Sequence, residues 1–170
     1  DELETANLMF VEAINFAKER IWITSPYFVP DRPVITALQL AGLRGVDVRI
    51  LIPDMPDHLG VYLAAFAYLD ESGSTGVKFY RYQDGFLHQK VMLIDHSFAA
   101  VGTANFDNRS FRLNFEITAV VADDDFASEV ESMLEADFSE SRLMEPGEYD
   151  RKPWWFRFAV KLARLTAPVQ

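Results

Sequence analysis

The sequence predicts an α/β chain in which a mixed β-sheet is sandwiched between helices. Three observations carry this. Amphipathic helical stretches alternate with short β-branched runs through the first half of the chain. Two apolar runs joined by Asp95-His96-Ser97 read as a hairpin, which brings antiparallel strands into a sheet the early alternation would make parallel. A final body helix opens with acids in its first turn, where the helix dipole favours them. The 170 residues, 49% hydrophobic and 25% charged, suit one globular unit.

Leu3, Ala6, Phe10, Ala13, Ile14 and Ala17 recur at spacings of three and four and predict a helix over 3–19. A strand is expected at Ile21–Thr24, stopped by Pro26, followed by the uncharged, turn-rich Ser25–Pro30. Pro33 suits the first turn of a second helix that ends by Gly42 or Gly45. Val46–Ile52 reads as a strand stopped by Pro53, Pro56–Asp70 as a third helix, and Ser72–Gly76 as a turn cluster. Val77–Tyr82 is a short alternating strand, and Val91–Ile94 and Phe98–Val101 form the hairpin. Glu116–Val121 is a further strand, and Asp123–Phe138 the last helix of the body.

Composition excludes several chemistries. The chain has no Cys, so disulfides, thiolate catalysis and thiolate-bound zinc are out. Its longest strictly apolar run, Val61 to Leu69, is too short for a membrane span of about 20 residues. No secretory signal opens the sequence, and a start at Asp1 rather than Met reads as a processed or excised piece. The net charge of −10 is uneven: residues 1–150 carry −15, whereas 151–170 carry five basic residues and no acid. The body should repel nucleic acid, and the tail should be drawn to anionic surfaces.

The stretch that carries chemistry runs from Gly85 to Glu116. His88 and Lys90 stand two apart at a strand entrance, so the period of two projects both from one face. An imidazole beside an ammonium suits a phosphate: Lys holds the anionic oxygens, and the ring can attack or carry a proton. Thr103 and Asn105 share a parity and add a hydroxyl and an amide as neutral donors. Asp95 lies an odd number of residues from Lys90, faces away in a regular strand, and is expected to support rather than react. Each residue alone has an ordinary reading, as a structural His, a surface Lys or a turn Asn. His58 and His96 lack a Lys two residues on and read as surface or turn residues. What stands out is the composite: His-x-Lys-x4-Asp from His88 to Asp95, then Gly102-Thr-x-Asn105, then Asn114-Phe-Glu116.

That composite resembles the phospholipase D superfamily. Thr24-Ser-Pro-Tyr-Phe-Val-Pro-Asp31, Leu87-His-Gln-Lys-Val and Gly102-Thr-Ala-Asn-Phe-Asp-Asn-Arg-Ser-Phe-Arg-Leu-Asn-Phe-Glu116 are similar to the second half of bacterial-type cardiolipin synthases, a likeness covering about residues 1–165. The resemblance implies a phospholipase D-like fold, with 1–150 as one catalytic half-domain and 151–170 as an appended tail. It implies a phosphohistidine route, in which one motif His attacks phosphorus and a second protonates the leaving alcohol and then activates the incoming one. The implied catalytic set is His88, Lys90, Asp95 and Glu116. His88 is nucleophile or general acid/base, Asp95 supports the motif, and Glu116 bonds the far ring nitrogen of His88. Lys90, Thr103 and Asn105 form the implied phosphate-binding set, and the chemistry requires no metal or other cofactor. Two motifs make one site in this family and this chain has one, so its partner is a missing amino-terminal half or a second copy.

The expected activity is phosphatidyl transfer between phosphatidylglycerol molecules at the bacterial cytoplasmic membrane. A homodimeric single-motif nuclease is the alternative, disfavoured by the acidic body. A non-catalytic lipid-binding half is another, disfavoured by the joint presence of His88, Lys90, Asn105 and Glu116. Ser25–Pro30 reads equally as a strand-end turn with core aromatics or as a lining for lipid entry. In the tail, a helix would gather Trp155, Phe158, Leu162 and Leu165 into one stripe and Arg157, Lys161 and Arg164 into another. That pattern suits an anionic membrane surface, the alternative being a helix packed on a missing half or a dimer mate.

Overall fold

The computed structural model describes residues 4–55, 59–145 and 147–166. Helix α1 (Thr5–Phe16) leads into β1 (Arg20–Thr24), and a two-residue strand β2 (Phe28–Val29) precedes α2 (Arg32–Leu43). Then come β3 (Asp47–Pro53), α3 (Leu59–Gly73) and β4 (Lys78–Tyr82). The hairpin is β5 (Val91–Ile94) and β6 (Phe98–Gly102), followed by β7 (Phe106–Asp107), α4 (Asn108–Arg112) and β8 (Thr118–Ala122). The chain closes with α5 (Asp124–Ser139), β9 (Ser141–Leu143) and α6 (Trp154–Thr166).

Seven strands form one mixed sheet in the order β8-β6-β5-β1-β3-β4-β9, and β2 and β7 pair separately in parallel. β1, β3 and β4 are parallel neighbours; β5, β6 and β8 add antiparallel on one side, and β9 on the other. β1 and β5 are buried along their whole length, and Ile21–Ile23 and Val91–Ile94 within them read as continuous apolar runs. One face packs Ile21, Ile23, Ile50 and Met92 under Phe10 and Ile14 of α1, Leu38 of α2 and Phe66 of α3. The other packs Trp22, Leu51 and Leu93 under Ala127, Val130, Leu134 and Phe138 of α5. The helix–sheet–helix arrangement expected from the sequence is the one found.

Several boundaries differ for identifiable reasons. α1 ends at Phe16 because Ala17 is extended (φ −59°, ψ 135°). α2 begins one residue before Pro33, capped by the Asp31 carboxylate, which accepts from the Val34 N–H (3.2 Å). α3 runs through Ser72 and Gly73, which the sequence placed in a turn. The Ser72 carbonyl is capped by the N–H (3.0 Å) and the hydroxyl (2.6 Å) of Thr75, so the chain turns only there. Pro56 and His58 lie outside the described residues. β8 starts at Thr118 rather than Glu116, because the Ile117 N–H donates to the Thr103 hydroxyl (3.0 Å).

α6 lies on α3. Phe156 meets Phe66 edge-on (5.1 Å), Val160 is buried in the main core, and Arg164 pairs with Glu71 (3.0 Å). Trp155, Phe158, Leu162 and Leu165 stay exposed on its outer side. Among the described residues no helix is long and apolar enough to cross a membrane.

Candidate active site at the rim of the sheet

The pairings Thr24↔Val91 and Val91↔Val101 bring the end of β1, the start of β5 and the end of β6 to one rim. Side chains alternate along the entry to β5. Leu87, Val91 and Leu93 are buried with α5, and Gln89 donates to Asp137 of that helix. His88 and Lys90 fall on the opposite parity and meet each other. Lys90 Nζ lies 3.0 Å from His88 Nδ1 and 3.3 Å from Nε2, and donates to the His88 carbonyl (2.7 Å). An ammonium has no lone pair to offer, so a hydrogen bond between Lys90 and the ring is donated to a nitrogen that carries no proton. An unprotonated ring nitrogen is what a nucleophile or general base requires. The imidazole stacks on the exposed Phe86 ring (5.4 Å, 11° between planes), so it is open to solvent yet fixed in orientation.

The Gly102 N–H donates to the Lys90 carbonyl (3.1 Å), which sets Gly102 and Thr103 beside the motif. A side chain at Gly102 would overlap the Ile117 carbonyl and the Thr118 backbone, so only Gly lets β6 and β8 close here. Thr103 then joins β6 to Ile117: its N–H donates to the Ile117 carbonyl (2.9 Å). Its hydroxyl donates to Glu116 Oε2. Ser110 Oγ (3.3 Å) and Asn114 Nδ2 (3.0 Å) donate to Glu116 Oε1. Ser110 also accepts from the Asn105 N–H (3.1 Å) and donates its own N–H to Asp107 (2.7 Å), the N-cap of α4. Burial lifts the Asp107 carboxyl above its ordinary range against the two Ser110 hydrogen bonds, and the Glu116 charge lifts it further.

Ser25 ties this loop to β1. Its hydroxyl donates to the Tyr27 carbonyl (2.6 Å) and accepts from the Phe106 N–H (3.0 Å). Phe28 is fully buried against Phe79 and Phe106, so in Ser25–Pro30 the reading as a turn with a core aromatic holds for that residue. Thr24 Oγ1 and Asn105 Oδ1 are buried at this rim, and neither has a hydrogen-bond partner among the described residues.

Not every expected contact is present. The hydrogen bonds of the Glu116 carboxylate run to Thr103, Ser110 and Asn114, and a bond to His88 is not among them. The ring nitrogens of His88 face Lys90 instead. Asp95 is at the opposite end of β5, roughly 16 Å of extended chain from Lys90. It takes a left-handed conformation (φ 50°) and accepts from the backbone N–H groups of Lys18, Glu19 (2.8 Å) and Arg20. Partial burial raises its pKa, but those three backbone donors outweigh it and hold the carboxyl below its ordinary value. His96 lies beside it on the surface, between Arg20 (2.8 Å) and Glu19 (3.0 Å). Ser110 and Ser25 were not singled out from the sequence, and Asn114 was noted only as part of the composite, with no role assigned. Asn114 had a signal, since it stands two residues from Glu116 in an extended segment.

Residues 10–138 match the family model described as cardiolipin synthase, PLD-like domain. The chain is 57% identical over 169 residues to cardiolipin synthase A of Pseudomonas aeruginosa, covering 99% of this chain and 34% of that protein. It is 54% identical to cardiolipin synthase A of Pseudomonas fluorescens, covering 99% and 35%. It thus spans about one third of the length of these relatives. Among solved structures it resembles the phospholipase D family member Nuc from Salmonella typhimurium, with a TM-score of 0.73, 22% identity, and coverage of 82% of this chain and 91% of that one. It also resembles phosphatidylserine synthase of Haemophilus influenzae, with a TM-score of 0.74, 17% identity, and coverage of 97% and 45%. At these identities the structural likenesses establish the fold.

Proposed function

Because the chain belongs to the cardiolipin synthase, PLD-like domain family, we propose that it supplies one of two half-sites of a phosphatidyltransferase that joins phosphatidylglycerol molecules into cardiolipin. The observation that carries this reading is the contact of His88 with Lys90 at a solvent-open rim (3.0 Å), beside the Gly102–Asn105 turn. Lys90 and Asn105 hold the phosphate oxygens of the donor lipid, whereas Thr103, expected to help, gives its hydroxyl proton to Glu116 and its N–H to Ile117 and so only shapes the turn that carries Asn105. His88, or the His of the second half-site, attacks phosphorus; the phosphorus–oxygen bond to the headgroup glycerol breaks, and the other His protonates that glycerol as it leaves. The same group then takes the proton from a hydroxyl of a second phosphatidylglycerol, which attacks phosphorus and frees the histidine. Glu116 acts on the Thr103–Asn105 turn through Thr103 and Ser110, and Asp95 anchors the chain between α1 and β1.

The second half-site comes from an amino-terminal half or from a second copy. An exposed apolar patch of Leu113, Phe115 and Ile117, continuous with the edge strand β8, offers the surface it would cover. The tail supports work at the cytoplasmic membrane of a bacterium. α6 turns a stripe with Trp155 and Phe158 outward, and residues 151–170 carry only basic charge.

The test is product analysis on this chain, alone and combined with a second motif half from a relative. Phosphatidylglycerol vesicles in chelator are followed by mass spectrometry, with a DNA oligonucleotide in parallel. Cardiolipin from the lipid and no cleavage of the oligonucleotide is the expected result. Oligonucleotide cleavage without cardiolipin would replace this reading with the nuclease one.

A further inference from the structure

The reaction proposed above, on which this inference rests, brings two anionic phospholipids together, whereas the rim at His88, Lys90 and Asn105 accounts for one phosphate. The geometry points to a second phosphate site: a pocket lined by Arg32, Arg112 and Arg164 that holds the phosphate of the other phospholipid. The pocket is an open cavity of about 300 Å³ between the start of α2, α4 and α6, with Asp31, Tyr68 and Asn108 completing its wall.

Three guanidinium groups line it, each held by an ion pair. Arg32 and Arg164 share one carboxylate, Glu71, and Arg112 reaches Glu4 (3.2 Å) and Asp31 (3.5 Å). Asp31 is spent on the fold: its oxygens accept from the Val34 N–H (3.2 Å) and from Asn7 Nδ2. Each guanidinium carries five N–H donors in a planar fork that matches two phosphate oxygens. The ion pairs among the described residues use only a few of these. The three side chains are 69%, 44% and 49% exposed, so their pairs are solvent-screened and readily exchanged for an incoming anion.

The position fits as well. β2 and β7 pair Phe28 with Phe106 and Val29 with Asp107, so Asp31 and Asn108, just beyond them, are held by one small sheet. Asn105 precedes that sheet and Asn108 follows it. Three residues of chain span at most about 10 Å, so the Cα of Asn108 in the pocket wall lies within that distance of the Cα of Asn105. Arg164 connects the pocket to the lipid surface. At 100° per residue, α6 has three faces. Phe156, Val160 and Ala163 dock on the body, and Trp155, Phe158, Leu162 and Leu165 face outward. Arg157, Lys161 and Arg164 lie between them. A phospholipid whose chains remain in the membrane beside the outward stripe would present its headgroup to that basic edge.

The experiment has a binding arm and a turnover arm. Arginine Nε–H signals are followed by NMR in the His88→Ala protein as dihexanoyl phosphatidylglycerol, dihexanoyl phosphatidylcholine or inorganic phosphate is added. Saturable shifts of Arg32, Arg112 and Arg164 with the anionic lipid, at least fivefold tighter than with the other two, are expected. No shift at these arginines overturns the proposal, and equal affinity for inorganic phosphate overturns the assignment to a lipid. In the turnover arm, run with a second motif half supplied, Arg32→Gln and the double variant Arg32→Gln/Arg112→Gln are expected to raise KM for phosphatidylglycerol at least fivefold with kcat within twofold. Arg32 is an exposed first-turn residue, so its single variant keeps the test valid should loss of Arg112 disturb Asp31. Cardiolipin formation with unchanged KM in both variants would sink the pocket and leave the proposed function standing. Absence of cardiolipin from every protein would sink the function, and with it the lipid role of the pocket.

Discussion

Gly102→Ala should damage both the fold and the site through one contact. A Cβ at Gly102 overlaps the Ile117 carbonyl oxygen and lies 2.7 Å from Thr118 Cα and 2.7 Å from Thr118 Oγ1, against an ordinary contact of 3.4–4 Å. These are mostly backbone atoms at the start of β8, so relief requires the two strands to part. Overpacking of this kind costs about 1–3 kcal/mol. Parting the strands also strains the bonds from the Thr103 N–H to the Ile117 carbonyl (2.9 Å) and from the Ile117 N–H to the Thr103 hydroxyl (3.0 Å), each worth about 1 kcal/mol. A loss of about 3 kcal/mol follows, or about 6–12 °C in Tm for a chain of this length. Gly73→Ala is the control: nothing lies within 4 Å of its Cβ and its backbone needs no left-handed angle, so its Tm should hold or rise slightly. The assay is thermal unfolding by circular dichroism, with turnover measured well below the melt. Glu116 precedes Ile117, so turnover should fall too. A Gly102→Ala protein melting within 1 °C of the parent and turning over normally would refute the reasoning.

Asp95→Ala should cost about 2 kcal/mol in chemical denaturation, from three lost backbone hydrogen bonds and a left-handed angle that Ala tolerates poorly, and Asp95→Asn about half that. The folded pKa of Asp95 is lowered, so its contribution is present above the unfolded carboxylate pKa and is lost as pH falls through the folded value. The stability gap between parent and Asp95→Asn should therefore be full at pH 6 and shrink as pH falls below the unfolded carboxylate value of about 4 in acid-unfolding curves. Glu116→Gln keeps the shape but replaces one accepting oxygen with an amide, and should lower kcat by up to about 100-fold through a displaced Thr103–Asn105 turn, with a smaller effect on Tm. Trp155→Ser/Phe158→Ser removes two outward rings worth about 1.5–3 kcal/mol each on burial, so partitioning to anionic vesicles should fall at least about 100-fold in sedimentation while Tm stays unchanged.

What could be read in the sequence depended on how much chain each feature occupies. β1, β3 and the β5–β6 hairpin have at least four residues with apolar stretches, so their pattern survives in the sequence. β2 and β7 have two residues each, too short for any periodicity, and exist because their partners meet in space. α4 is one turn, set by the Asp107 cap. The His88–Lys90 contact followed from parity alone, because both residues sit in one extended segment. The partners of Glu116 did not, because Thr103, Ser110 and Asn114 reach it from a strand end, a short helix and a loop whose relative placement no local pattern encodes. For α6, the outward stripe was legible as a period, whereas its docking face of Phe156, Val160 and Ala163 becomes visible only against α3.

The central claim is that His88 reacts at phosphorus or carries the proton, while Asp95, at the far end of the same motif, holds the fold. The direct measurement is kcat/KM for cardiolipin formation by His88→Ala and Asp95→Ala, each in this chain combined with a second motif half and assayed below its melting temperature. Loss of at least about 100-fold for His88→Ala, whichever of the two roles it plays, with Asp95→Ala within about threefold of the parent, is the predicted result. A His88→Ala protein within tenfold of the parent, or an Asp95→Ala protein that stays folded yet loses activity as His88→Ala does, would contradict the account.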